Sequence, residues 1–303
     1  MSLRVAICIT THNRRAELER TLAHVAVLAP QPDEILVVAD GCTDGTADFV
    51  RQRHPEARLL VHDTGRGSVA SRNEMARATE CDILLSLDDD SYPIEPDAIG
   101  RIRSLFEANP RLAVASFPQR TDEFPESLNR TGFGTAHFLG SYPSSSAALR
   151  RAAFIELGGF FEPFFHMYEE PDFALRCACA GWQVRFEPCV IVRHHWTGSQ
   201  RNEMRNHQRQ ARNELWSVLV RCPMPWLLAV APFRIFRQFG YACSRGLAWI
   251  LGEPAWWWQS LRGLPACLAA RQPLPWPRYR AWMELVRTPH ADHARWNLDF
   301  GTP

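Results

Sequence analysis

The sequence predicts an α/β fold in which a mostly parallel β-sheet is covered by helices on both faces. Within the first 116 residues, short apolar runs alternate with segments whose apolar residues recur at helical spacing. Alternation at these lengths is typical of strand–helix–strand units with right-handed crossovers. Polar or acidic residues directly follow three of the apolar runs, which is where ligands bind to such sheets.

The positions of these runs define the individual elements. Apolar and β-branched runs predict strands at 5–10, 34–39, 58–61, 83–87 and 112–115. Helical spacing predicts helices at 15–28, through 49–50, at 68–78 and after Pro96. The periodicity is lost from 117 to 146, where aromatic residues mix with Gly, Pro and Ser, so loops are expected there.

Composition excludes several classes of function. The 303 residues are 46% hydrophobic, which suits about two domains with a sizeable core. The net charge of +1 gives no electrostatic footprint for nucleic acid, so no nucleic-acid partner is expected. All 34 basic residues are Arg, which excludes a P-loop lysine and a lysine Schiff base.

The compartment follows from the cysteines and the apolar segments. The nine cysteines are not spaced as metal ligands and are expected to be reduced thiols. The first apolar run passes straight into polar residues, which favours a strand over a signal peptide. No window offers the roughly 18 uninterrupted apolar residues of a membrane span. A cytoplasmic location is therefore expected.

Three consecutive carboxylates, Asp88, Asp89 and Asp90, follow the fourth predicted strand. Anions packed this closely are tolerated when a cation or a row of donors lies in front of them. Polar residues also follow the first strand, at 10–13, and the second, at Asp40 and Asp44. Together these groups predict a nucleotide site in which a divalent metal bridges carboxylates and phosphates. A solvated acidic turn is the alternative.

Several motifs, in this order and spacing, resemble family 2 glycosyltransferases. They are VAICITTHNR, ILVVADGCTDGT, ASRNEMA and LLSLDDDS, followed by GGFFEPFFHMYEEPDFALRCACAGW and VRHHW. The resemblance extends from about residue 3 to residue 215 and implies the GT-A fold, a Rossmann-like sheet with helices on both faces. It implies a catalytic domain at 1–215, with a nucleotide-binding half to about 116 and an acceptor and catalytic half from 117. It also implies Mn²⁺ or Mg²⁺ as cofactor.

The resemblance implies a role for each matched residue on the donor side. Thr11 and Asn13 would lie near the base, and Asp40 would accept a hydrogen bond from the ring N–H of a pyrimidine. Cytosine has no hydrogen at that nitrogen, so Asp40 favours a UDP- or dTDP-activated donor. Ala39 stands where the family often has Asp, which leaves this contact to Asp40.

Further residues are implied for the diphosphate and the metal. The nucleotide sugar would be bound also by Arg72, Asp88, Asp89 and Arg212. Asp89 would contact the ribose, whereas Asp88 has the simpler alternative of ending the strand. Asp90 would bind the metal together with His194, and His195 remains an alternative to His194.

The segment 169–176 resembles the family's Glu-Asp-x-Asp-Leu-x-x-Arg, which opens a helix facing the anomeric carbon. Its second acid, Glu170, is implied as the catalytic base, with Glu169 as the runner-up and Asp172 as the third catalytic acid. A general base contributes about 10²- to 10⁴-fold by taking the proton from an acceptor hydroxyl. Stabilisation of the helix dipole is the alternative role for these acids.

The composition changes after residue 215. Nine of the eleven Trp lie from Trp216 onward, and Glu253 and Glu284 are the only acids between 221 and 289. Apolar residues and Arg residues from 228 to 250 fall on different sides of a helix. The region 216–303 is therefore predicted to form amphipathic helices on an anionic membrane surface, at the inner face of the cell membrane. Helices packed on the catalytic domain are the alternative.

The leading hypothesis is an inverting transfer of a sugar to a hydroxyl of a glycan or lipid-linked acceptor in cell-surface polysaccharide synthesis. The stretch FFHMYEEPDF resembles the rhamnosyltransferase branch of the family. A nucleotidyltransferase is an alternative, although TTHNRR lacks the expected Gly-rich loop. A catalytically degenerate sugar-nucleotide-binding subunit is the second alternative, because Ala39 and Glu170 depart from the family's pattern.

Overall fold

A computed structural model describes residues 2–196 and 202–301 and contains an eight-stranded sheet with strand order β3-β2-β1-β4-β9-β6-β10-β8. A second, three-stranded sheet has the order β5-β11-β7. The strands are β1 (Val5–Thr11), β2 (Glu34–Asp40), β3 (Arg58–His62), β4 (Ile83–Asp88), β5 (Ser91–Pro93), β6 (Leu112–Ser116), β7 (Gln119–Thr121), β8 (His137–Phe138), β9 (Ser146–Arg150), β10 (Gln183–Phe186) and β11 (Val192–His194).

The helices lie on both faces of the large sheet and continue beyond it. They are α1 (Arg15–Val25), α2 (Thr46–Arg53), α3 (Ser68–Ala78), α4 (Ala98–Ala108), α5 (Arg151–Glu156), α6 (Glu169–Cys179), α7 (Glu203–Arg221), α8 (Leu227–Arg245), α9 (Leu247–Arg262), α10 (Leu264–Ala269), α11 (Trp276–Arg287) and α12 (His293–Phe300). Strands β3, β2, β1 and β4 are parallel, and β9 pairs antiparallel with both β4 and β6. The predicted α/β class with C-terminal helices is confirmed.

Alternation along β1 explains the two covered faces. Val5, Ile7 and Ile9 belong to the core beneath α1, α2 and α4, whereas Ala6 and Cys8 belong to the core beneath α3, α5 and α6. Successive side chains of a strand point to opposite faces, so a strand that is apolar throughout needs cover on both sides. This arrangement leaves the carboxyl ends of β1, β2 and β4 at one edge of the sheet.

The C-terminal helices share a core with the catalytic half. Trp282, Trp296 and Phe300 are buried together with Phe138 of β8 and Leu175 of α6. Helix α7 runs through residue 215, so the predicted boundary between 1–215 and 216–303 falls inside a helix. The change in composition therefore does not coincide with a break in the fold. No helix of the described residues is long and apolar enough to cross a membrane.

Candidate active site

A cavity of about 740 Å³ lies at the carboxyl ends of β1, β2 and β4. Its lining includes five of the predicted donor-site residues: Arg72 of α3 and, at the strand ends, Thr11, Asp40, Asp88 and Asp89. Strand register brings them together, because Thr10 lies opposite Asp88 and parallel strands end at the same edge. The rest of the lining comes from the segments 65–71 and 165–167, from α7, and from Thr10, His12, Arg14, Ser145 and His194.

Asp88, Asp90 and His194 offer ligand atoms that all lie within 4.8 Å of one another. His194 reaches this point because β11 pairs antiparallel with β5 and places it opposite Ser91. Two carboxylates and an imidazole form a donor set that suits a divalent cation. Asp90 Oδ1 is buried 3.3 Å from His194 Nε2 and accepts no hydrogen bond from the described residues. This oxygen is therefore suited to bind a metal ion.

The cluster changes the roles assigned from sequence. Asp88 was assigned to the nucleotide sugar, but the geometry groups it with the predicted metal ligands Asp90 and His194. The alternative ligand His195 lies outside the cluster, and its Nε2 is 2.8 Å from the hydroxyl of Tyr92.

Arg14 joins the second and third carboxylates of the acidic turn. Its Nη1 lies 3.0 Å from Asp89 Oδ1, and its Nη2 lies 2.6 Å from Asp90 Oδ2. Burial raises the pKa of Asp89 to about 8 despite this ion pair. Burial also acts to raise the pKa of Asp90, but His194 and Arg14 hold it below its usual value. The sequence interpretation missed Arg14, although its position after the polar end of the first strand could have indicated it.

Arg72 joins the acidic turn to α6. Its Nη2 lies 2.7 Å from Asp88 Oδ1, and its Nη1 lies 3.2 Å from Glu169 Oε1. The side chain is buried and lines the cavity, as expected for a donor-site residue. Both ends of its guanidinium group are already engaged by carboxylates, so its first role in this geometry is to hold α6 against β4.

The segment that leads into α6 has a strained backbone. Phe165, Met167 and Tyr168 have φ values of 66°, 75° and 68°, a region that residues with a side chain rarely adopt. The segment also passes close to Gly67, where a Cβ atom would lie 2.2 Å from the carbonyl oxygen of Phe165. Backbone strain of this kind clusters at functional sites. It turns Phe165 and Met167 into the cavity lining and places Glu169 and Glu170 at the start of α6.

Glu170 is partly buried, and its Oε1 accepts a hydrogen bond of 3.2 Å from the backbone N–H of Ser144. Burial, followed by repulsion from Glu169, raises its pKa to about 7. A carboxylate with a pKa near neutrality can accept and release protons at physiological pH. Glu169 is fully buried and held by Arg72, and neither acid is among the residues that line the cavity as defined above.

Asp172 does not line the cavity. Its two oxygens accept hydrogen bonds from Arg176 (2.9 Å), Ser217 (2.9 Å) and Arg221 (3.2 Å). Burial acts to raise its pKa, but the two arginines hold the pKa below its usual value. Asp172 therefore links α6 to α7, and its role as a third catalytic acid stays a prediction.

Asp40 lines the cavity, but its carboxylate already accepts most of the hydrogen bonds that it can accept. Its Oδ1 accepts from the backbone N–H of Arg66 (2.8 Å) and lies 2.6 Å from His62 Nδ1, while its Oδ2 accepts from the N–H of Gly67 (2.8 Å). Asp40 thus shapes the glycine-rich turn, and Oδ2 keeps one lone pair for a ligand. Asn13 is not in the lining, because its Oδ1 accepts from the backbone N–H of Thr43 (2.7 Å).

Arg212 also lies away from the cavity lining, and its place near a diphosphate stays a prediction. Its Nη2 donates to the carbonyl oxygen of Phe164 (3.1 Å), and its guanidinium group lies 4.4 Å from the ring centre of Trp216. The α7 residues that line the cavity are instead Arg205, Asn206 and Arg209. They lie one or two helical turns earlier, which sequence spacing alone did not distinguish.

The model of one protein family, Glycosyl transferase family 2, matches residues 6–170, which is more than half of the chain. The chain belongs to this family. The match confirms the resemblance inferred from the motifs and gives no support to a nucleotidyltransferase. The glycosyltransferase is also 27% identical over 273 residues to an N-acetylglucosaminyl-diphospho-decaprenol L-rhamnosyltransferase of Mycobacterium tuberculosis. That match covers 73% of this chain and 88% of the relative.

Solved structures show the same fold. A structure of Staphylococcus aureus TarS 1-349 in complex with UDP-GlcNAc has a TM-score of 0.58 at 15% identity, covering 99% of this chain and 90% of that one. The mannosyltransferase PcManGT from Pyrobaculum calidifontis, in complex with GDP-Man and Mn²⁺, has a TM-score of 0.55 at 21% identity. This match covers 95% of the chain described here and 85% of the mannosyltransferase chain.

The structural assignment of Asp172 can be tested with Asp172→Asn. Loss of its charge leaves Arg176 and Arg221 buried without their carboxylate, so we expect the free energy of unfolding to fall by roughly 3 kcal/mol. Urea denaturation followed by tryptophan fluorescence measures this change. Asp48→Asn, at an exposed ion pair, is the matched control and should change stability by less than about 0.5 kcal/mol. Wild-type stability combined with lost turnover would instead restore a catalytic role.

Proposed function

We propose that this glycosyltransferase transfers a sugar, with inversion, from a UDP- or dTDP-activated donor to a hydroxyl of a glycan or lipid-linked acceptor. The observation that carries the proposal is the connection of two groups through Arg72. Asp88, which belongs to the candidate metal cluster, is bound to Nη2 of that guanidinium group. Glu169 is bound to Nη1, and it precedes Glu170, whose pKa is raised. A leaving-group site and a base site are thereby held at a fixed separation.

The donor side is supported by the residues at the sheet edge. Asp40 and Thr11 border the cavity, where a pyrimidine would lie, and Asp89 would contact the ribose. Asp88, Asp90 and His194 would hold Mn²⁺ or Mg²⁺, which when bound stabilises negative charge on the departing nucleoside diphosphate. Because PcManGT was solved with Mn²⁺ and the donor set here suits a divalent cation, metal dependence is part of the proposal.

On the acceptor side, the Glu170 carboxylate would take the proton from the attacking hydroxyl. The acceptor oxygen forms a bond to the anomeric carbon while the bond from that carbon to the diphosphate oxygen breaks. A single displacement of this kind inverts the anomeric centre. The rhamnosyltransferase relative is named for an acceptor carried on a prenyl diphosphate, which supports a lipid-linked acceptor and cell-surface polysaccharide synthesis.

A lipid-linked acceptor requires access to a membrane, and the C-terminal helices offer a suitable surface. Large apolar side chains are exposed on neighbouring helices, namely Leu228 and Phe236 of α8 and Leu247, Leu251, Trp258 and Leu261 of α9. Of the two acids between 221 and 289, Glu253 is buried against His207 and Trp256. The three arginines of α8 are paired with acids of α7, so the exposed apolar residues carry the proposed contact with an anionic bilayer surface at the cytoplasmic side. We propose this surface, called the α8–α9 surface, as the membrane contact.

The base assignment predicts a pH profile. Glu170 must be deprotonated to act, so kcat/KM should fall as the pH drops through about 7, its raised pKa. Glu170 interacts electrostatically with four titratable or charged groups: Glu169, Arg72, His166 and Tyr142. Glu170→Gln should lower kcat by 10²- to 10⁴-fold, remove this acidic limb and leave donor affinity intact.

The control for this experiment is Glu156→Gln, which makes the same change at an exposed site and should behave as wild type. Full turnover by Glu170→Gln would exclude Glu170 as the base. Loss of the acidic limb in Glu169→Gln alone would transfer the role to Glu169. Normal donor binding without any turnover in the wild type would favour a binding subunit over an enzyme.

The metal assignment predicts the effect of Asp90→Asn. We expect the variant to lose the gain in UDP affinity that Mn²⁺ gives the wild type, a loss of at least about 10-fold, because a buried anionic ligand is removed. Calorimetric titration of UDP with and without Mn²⁺ measures it. His195→Gln, which lies outside the cluster, is the matched control. A metal-dependent gain that is unchanged in Asp90→Asn would contradict the assignment.

The membrane contact predicts that the protein sediments with anionic vesicles at low salt. Combining Phe236→Asp, Leu251→Asp and Trp258→Asp should abolish sedimentation, because charge replaces the apolar contact on the α8–α9 surface. Leu298→Asp on α12, at a residue 86% exposed, is the control. These point variants are better than truncation at 215, which would cut α7. Equal sedimentation of the triple variant and the wild type would refute the contact.

A further inference from the structure

His166 belongs to the strained segment before α6 and lines the cavity between Phe165 and Met167. Its Nδ1 lies 2.9 Å from the hydroxyl oxygen of Ser68, the first residue of α3. Its Nε2 forms no hydrogen bond with the residues that the structure describes, and it is not one of the fully buried unpaired atoms. The ring therefore keeps one nitrogen for a ligand in the cavity.

The backbone that carries His166 is held from helix α7. Asn213 of that helix is fully buried. Its Nδ2 donates to three carbonyl oxygens of the strained segment, those of Phe164 (3.1 Å), His166 (2.9 Å) and Met167 (2.7 Å). Strained backbone persists where the surrounding structure fixes it in this way. The imidazole is therefore held in place before any ligand binds.

The surroundings of His166 favour the neutral form of its ring. Burial, followed by the charge of Arg72, lowers its pKa, although Glu170 and Asp88 act in the opposite direction. A neutral imidazole has one nitrogen that donates a hydrogen bond and one that accepts. A hydroxyl can serve as partner to either nitrogen, since it both donates and accepts. The free nitrogen is thus better matched to a sugar hydroxyl than to a charged group.

The position of His166 lies on the path of a transferred sugar. It is close enough to interact electrostatically with Asp88, of the candidate metal cluster, and with Glu170, the candidate base. A sugar whose diphosphate is bound at the metal must hold its anomeric carbon between the leaving oxygen and the base. We propose that His166 Nε2 forms a hydrogen bond with a hydroxyl of the transferred sugar and so determines which sugar the enzyme accepts. The inference rests on the proposed function.

The experiment compares nucleotide sugars with their nucleoside diphosphates. Wild type and His166→Asn are titrated calorimetrically, with Mn²⁺ present, with UDP, UDP-glucose, UDP-GlcNAc, dTDP and dTDP-rhamnose. Asn keeps a polar group near Nδ1 that can still bind Ser68, but it has no atom at the position of Nε2. We expect unchanged affinity for UDP and dTDP, and a loss of about 10-fold for at least one nucleotide sugar, the size of one hydrogen bond. His166→Gln, whose amide reaches the position of Nε2, should recover part of the loss.

The control is His54→Asn, which makes the same exchange just after α2 and outside the cavity, and it should bind every ligand as wild type does. Equal losses for UDP and the UDP-sugars in His166→Asn would overturn the proposal, because the ring would then only shape the cavity. Unchanged affinity for all five ligands would also overturn it. Failure of the proposed function would appear separately, as a wild type that neither binds nor turns over a nucleotide sugar, and it would overturn this inference as well.

Discussion

Two arginines, the partly buried Arg14 and the buried Arg72, allow five carboxylates to gather at the end of β4 and the start of α6. Arg14 binds Asp89 and Asp90, and Arg72 binds Asp88 and Glu169. A lysine is a single point charge, whereas the arginine fork can engage two carboxylates at once. A chain whose basic residues are all Arg is therefore well suited to hold adjacent acids at fixed separations. Glu170 is the fifth carboxylate, and no arginine pairs with it among the described residues.

The excess of negative charge at this edge has physical consequences. Five carboxylates face two guanidinium groups in a partly desolvated region, so the charged forms are not fully compensated. The raised pKa of Asp89, to about 8, and of Glu170, to about 7, both follow from burial and from neighbouring acids. A divalent cation at Asp88, Asp90 and His194 would relieve part of this repulsion. The same imbalance thus favours a metal at one place and a proton acceptor at another.

The sequence predicts the parts of the structure that depend on local pattern. The apolar runs located β1, β2, β3, β4 and β6, whereas the short strands β7 and β8 lie where loops were expected. The rule that ligands bind at strand ends singled out Asp40 and the acidic turn, which line the cavity. The local pattern could not predict which side chains form ion pairs between distant parts of the chain. Asp172 stands in a catalytic-looking motif, yet its charge is used by Arg221, 49 residues later. In the same way, only the rotation of α7 decides that Arg209 rather than Arg212 lines the cavity.

Helix α7 contacts both the cavity and helix α8, which lies at the surface of the molecule. Its cavity side carries Arg205 and Arg209, while its acids Glu203 and Glu214 are bound to arginines of α8. The acids of α7 therefore pair with arginines of α8, and the α7 side of the cavity carries Arg205 and Arg209. At its C-terminal end, Arg221 holds Asp172 and thus α6, the helix that carries Glu170. A ligand that orders α7 would therefore also fix the position of the candidate base, because both helices share this buried ion pair.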